Sequence, residues 1–79
     1  MAEERISAEE LYEQFYQPFG MEGARKLINE AIAEAGLLPK KDYAKEEALK
    51  ICEVLKKKSG FVKTIANLYS VRLKLHHSK

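Results

Sequence analysis

Four stretches of this chain repeat apolar residues at three- and four-residue steps, and proline or glycine separates each stretch from the next. That period is the pitch of an amphipathic α-helix, whereas a half-buried strand would alternate every second residue. The joints are only a few residues long, so sequence neighbours should pack antiparallel. The pattern predicts an all-α fold: a compact bundle or orthogonal array of about four short helices, forming a single domain over residues 1–79 with no internal repeat or linker.

The helix boundaries follow from local chemistry. Ser7-Ala8-Glu9-Glu10 fits a capping box, and Ile6 and Leu11 occupy the positions of a hydrophobic staple around it. A first helix is expected from Ala8 to about Gln17, where Pro18 and Gly20 interrupt it; its aromatic stripe of Leu11, Tyr12, Phe15 and Tyr16, with Phe19 just beyond, reads as core. A second helix, from about Met21 to Ala35, turns Ala24, Leu27, Ile28, Ala31, Ile32 and Ala35 to one side. Gly36 stands where a left-handed residue closes a helix, with Leu37 placed to touch Ile32. Asp42 is a suitable N-cap for a third helix over Tyr43–Lys58, whose inward set is Ala44, Ala48, Ile51, Cys52 and Leu55, widened by Leu49 and Val54.

Ser59-Gly60 breaks the third helix, and Phe61, Val62, Ile65, Ala66, Leu68 and Tyr69 form the stripe of a fourth. After Tyr69 two patterns compete over residues 70–79. Continued as a helix, the chain places Arg72 and His76 in the middle of the apolar stripe; extended, it places Tyr69, Val71, Leu73 and Leu75 on one face. Helix is preferred, because a strand needs a pairing partner and no other segment supplies one.

At 79 residues the core alone is a modest source of stability. The single cysteine, Cys52, cannot form an internal disulfide, and Cys52 with His76 and His77 lacks the spacing of a zinc site. Self-association is the remaining supplement, so a homodimer is expected from size. Charge adds an asymmetry. Residues 1–37 carry three basic groups against eight acidic ones, a net of −5, while residues 38–79 carry eleven against four, a net of +7. Such a chain can compensate within itself, associate head to tail or offer its basic half to an acidic partner.

The acidic start, with no apolar run behind it, does not resemble a signal peptide, and no stretch approaches the roughly 20 apolar residues of a membrane span. A soluble, cytoplasmic protein is expected. A charged fraction of 33% without tryptophan also matches a thermophilic composition.

Catalytic chemistry is not legible: there is no nucleophile–base pair, no phosphate-cradling glycine loop after a strand, and the Glu9–Glu13 pair lies one turn apart on an open face. Cys52 lies in an apolar stripe, where a thiol is inert. No enzyme activity, cofactor or small-molecule substrate is expected. Thr64 to Arg72 resembles the first helix and turn of a helix-turn-helix, with Ala66, Ser70 and Val71 matching its small and turn positions; only Arg72 to Lys79 follow, short of a full recognition helix, and the turn lacks glycine. The resemblance implies nucleic-acid contact through the basic half. The candidate contact residues, for nucleic acid or an acidic protein, are Lys56, Lys57, Lys58, Lys63, Arg72, Lys74 and His76. The expected function is a small helical protein-interaction or accessory-subunit module that self-associates, with nucleic-acid binding as the alternative.

Overall fold

A computed structural model describes residues 5–58 and 60–76, with His76 as backbone only. Four helices dominate the described residues: α1 (Ala8–Glu13), α2 (Tyr16–Glu34), α3 (Lys45–Lys56) and α4 (Phe61–His76). The all-α class stands, with one addition. Two three-residue strands, β1 (Arg5–Ser7) and β2 (Asp42–Ala44), pair antiparallel ahead of α1 and α3, in the register Arg5–Ala44, Ile6–Tyr43 and Ser7–Asp42.

The ribbon corrects two expectations. Asp42 does not cap the third helix but lies in β2, where its Oδ1 accepts hydrogen bonds from Arg5 Nε at 2.9 Å and Nη2 at 2.6 Å. Tyr43 is not a helical residue: it sits opposite Ile6 with both side chains in the core, 0% and 1% exposed. An isolated two-stranded ribbon is marginal in water, and this one persists because its two central residues share the core with the helices. The sequence hid it because three residues offer a single inward position, too few to display a period of two.

Ser7 Oγ accepts from the Glu10 N–H at 3.0 Å, as the capping box requires. The Glu10 carboxylate does not return to Ser7; its Oε2 accepts from the Tyr69 hydroxyl at 2.6 Å and joins α1 to α4. The staple holds, with Ile6 and Leu11 each 1% exposed. α3 uses the other half of the same device: its N-cap, Ala44, has no side-chain acceptor, but the Ala44 N–H donates to Glu47 Oε1 at 3.0 Å. That hydrogen bond, together with the Lys40 ammonium beside the same carboxylate, holds the Glu47 pKa below its usual value.

α1 stops at Glu13, short of the expected Gln17, and α2 begins at Tyr16 with a break at Gly20. Gly20 adopts φ 76°, ψ 171°, a region open essentially to glycine alone. Substitution with valine is expected to lower stability by about 1–3 kcal/mol, read as a lower urea midpoint at unchanged m-value. At the far end of α2 the Schellman closure forms as expected: Gly36 has φ +79°, Leu37 N–H donates to Ile32 C=O and Gly36 N–H to Ala33 C=O, both at 3.0 Å.

The fold is a βαα unit used twice, although no repeat shows in the amino-acid identities. The buried or half-buried positions Ala24, Leu27, Ile28, Ala31, Ile32 and Ala35 of α2 and its cap recur with identical spacing as Val62, Ile65, Ala66, Tyr69, Ser70 and Leu73 of α4. The structure conserves the pattern of burial and not the side chains. α1 packs mainly on α2 and α3 mainly on α4, while α2 against α3 and the β1–β2 ribbon join the two units.

Candidate functional site

α4 continues as a helix through the ambiguous segment, so the extended alternative falls, and so does the helix-turn-helix resemblance: Ser70 and Val71 lie inside an unbroken helix. Residues 77–79, including His77, lie outside the described residues.

The core face of α4 is rotated from the one the sequence predicts. Val62, Ala66, Tyr69, Ser70 and Leu73 are buried. Ser70 tolerates burial because its hydroxyl donates to the Asn67 carbonyl at 2.9 Å. Phe61 and Leu68, expected in the core, are instead 72% and 63% exposed, and Val71 and Leu75 are 48% and 72% exposed. Phe61, Leu68 and Leu75 recur every seventh residue with Val71 between them, so at 3.6 residues per turn they form one stripe on the side of α4 away from the core. Surface apolar residues scattered singly need no explanation; a stripe along a whole helix does.

The first unit supplies an internal comparison. With the buried positions of α2 and α4 superposed in sequence, Phe61, Leu68, Val71 and Leu75 correspond to Gly23, Glu30, Ala33 and Leu37. Along the helix itself, α2 therefore carries small or charged residues where α4 carries Phe61, Leu68 and Val71.

Cations border the stripe. On a helical wheel Arg72 falls along one edge, and Lys63 and Lys74 fall along the other; all three are exposed. α4 contains no aspartate or glutamate. Arg72 was expected inside the apolar stripe, and the structure corrects this: rotating the core face toward Ser70 leaves Arg72 at its margin, with a long 3.5 Å contact from Nη1 to Gln14 Oε1 at the end of α1.

The other candidate cations do not join them. Lys56 pairs with Glu53 at 3.2 Å and Lys58 with Glu34 at 3.7 Å, so both are compensated within the fold, and Lys57 is exposed at the C-terminal end of α3. The His76 side chain lies outside the described residues. The six candidates whose side chains are described thus fall into a group at the end of α3, two of its three lysines engaged with carboxylates, and an α4 group flanking the apolar stripe. Sequence reasoning missed the stripe itself. The signal was present in the seven-residue spacing of Phe61, Leu68 and Leu75 once Ser70 is admitted to the core.

Two reactive groups are silenced by burial. Desolvation pushes the Cys52 thiol up to about 11, so it is protonated at neutral pH. Burial first, and the hydrogen bond to Glu10 second, raise the Tyr69 hydroxyl far above its ordinary value and keep it a neutral donor. Among the described residues no group of three or more His, Cys, Asp or Glu could hold a metal ion, and no helix is long and apolar enough to cross a membrane. Compared with protein-family models, curated proteins and solved structures, the chain matches none.

Proposed function

We propose that this chain is a non-enzymatic helical protein-interaction module, an accessory or self-associating subunit, whose docking surface is the outer face of α4. One observation carries the reading: Phe61, Leu68, Val71 and Leu75 lie in a single exposed stripe opposite the helix face that fills the core. A helix apolar on both sides is ordinarily covered on both sides. The modest size of the core favours a second copy as the cover.

Leu68, at the centre of the stripe, provides the test. Leu68→Glu removes apolar area from the contact and introduces a charge there, at a position whose exposure leaves the monomer's own packing intact. Sedimentation velocity should show the wild-type protein as a dimer at micromolar concentration and the variant with a dissociation constant about a hundredfold weaker, near 2.7 kcal/mol. Equal sedimentation of the two proteins, at equal helicity by circular dichroism, discards this surface.

Nucleic-acid binding remains the second reading because Lys57, Lys63 and Lys74 are exposed and, among the described residues, in no ion pair. An apolar stripe between the cations of α4 is a poor surface for phosphate. Binding to non-specific duplex DNA that falls steeply with added salt would favour this reading over the first.

A further inference from the structure

The side chains in and beside the outer stripe of α4 specify what covers it. Phe61, Leu68 and Leu75 recur every seventh residue, and Thr64 and Val71 follow the first two of them by three residues. These are the a and d positions of a heptad, the seam along which one helix packs on another. Ile65 packs against the core, which excludes the other register, in which it would join the seam. The buried Val62, Ala66, Tyr69, Ser70 and Leu73 fall at positions b, c and f on the opposite face. α4 can therefore hold its own fold and a second helix at once.

The positions that flank such a seam, e and g, select the partner by charge. In the first heptad they are Ile65 and Asn67; in the second they are Arg72 and Lys74, both exposed and in no ion pair among the described residues. Toward α1, Arg72 reaches Gln14 at 3.5 Å, while the Glu10 carboxylate on that side accepts from the Tyr69 hydroxyl at 2.6 Å. Toward α3, Cys52 feels the charges of Lys74, Lys56 and Glu53, but Glu53 is already paired with Lys56 at 3.2 Å. A second α4 offers no aspartate or glutamate in either orientation. Self-association through this seam covers its apolar side chains and leaves Arg72 and Lys74 of both copies unmatched.

Resting on the reading of α4 as the docking surface, we propose that the matched partner of this seam is an α-helix of another protein, apolar at its a and d positions and acidic at e and g, which displaces a second copy of this chain. A lipid surface is a poorer match. A helix lying in a membrane presents a broad apolar face, whereas this seam is narrow and has Thr64 within it.

Two synthetic peptides of about three heptads test the pairing, both with leucine at a and d, one with glutamate and the other with lysine at e and g. Like charges keep each peptide from pairing with itself. Titrated into the full chain at low salt and followed by calorimetry, the glutamate peptide should bind about tenfold more tightly than the lysine peptide, and added salt should shrink the ratio. In sedimentation it should convert homodimer to a complex of one chain with one peptide. The variant carrying Arg72→Glu and Lys74→Glu, with its helicity checked by circular dichroism, should reverse the preference and take the lysine peptide. Leu68→Glu should bind neither, and a glutamate peptide scrambled out of the heptad should not bind the wild-type chain. Equal affinity of the wild-type chain for the two peptides, an unreversed preference in the charge variant, or undiminished binding by Leu68→Glu or of the scrambled peptide overturns the proposal. If Leu68→Glu abolishes self-association while the wild-type chain binds neither peptide, the docking surface stands and this partner falls. Capture on phosphatidylserine-rich vesicles without binding of the glutamate peptide overturns it in favour of a lipid surface.

Discussion

Tyr43→Ala is expected to cost about 3–5 kcal/mol, roughly half of the total stability, since a domain of this length holds only on the order of 5–10 kcal/mol. The ring of Tyr43 is completely buried and lies across the ribbon from Ile6, where β1, β2 and the helices share one core. Removing it opens a cavity where the ribbon meets that core. The hydroxyl has its own role: it accepts from the Lys40 N–H at 2.9 Å and donates to the Leu38 carbonyl at 3.3 Å, fixing the connection that enters β2. Tyr43→Phe keeps the ring and loses those bonds, so a smaller loss of about 1–2 kcal/mol is expected. Urea unfolding followed by circular dichroism separates the two, and similar midpoints for alanine and phenylalanine would show that the hydroxyl and not the ring dominates.

Leu11→Ala is expected to cost about 2–5 kcal/mol, for a different reason. α1 is six residues long, well below the length at which a helix persists by its own hydrogen bonds. Its order comes from the cap at Ser7 and from burial of Ala8 and Leu11, with Ile6 before it and Phe15 after it in the same core. Losing the Leu11 side chain therefore loosens the whole turn, including the Glu10 carboxylate that receives Tyr69. The matched control is Leu68→Ala on the exposed stripe, expected to change monomer stability by no more than about 0.5 kcal/mol. Equal losses at Leu11 and Leu68, measured at a concentration where the protein is monomeric, would contradict the burial pattern described above.

Helices were legible wherever a stripe and its stop signals agreed. The inward faces of α2 and α3 and the Gly36 closure lie where residue spacing puts them, because each is set by interactions within a few residues. The ribbon was not legible, since Ile6 and Tyr43 acquire their meaning only from each other across the chain. Asp42 illustrates the ambiguity: a good helix cap in isolation, it is a cross-strand partner once Arg5 stands opposite. On α4 two apolar stripes coexist, and a count of apolar positions cannot say which one faces in. Ser70 decides it, a small polar residue that fits the core by bonding its own backbone. The outer stripe was therefore visible as hydrophobicity but not as surface.

The order of synthesis gives the β1–β2 pairing a further meaning. When the ribosome has released the first βαα unit, Ile6 has no strand opposite it and its side of the core is open to water. That opening closes only after Tyr43 and Ala44 emerge, so the first unit waits for the second, and closing the ribbon must join residues far apart in sequence. A nascent chain cut before residue 42 would present Ile6 and the inner face of α2 as sticky surface, a natural target for a holding chaperone.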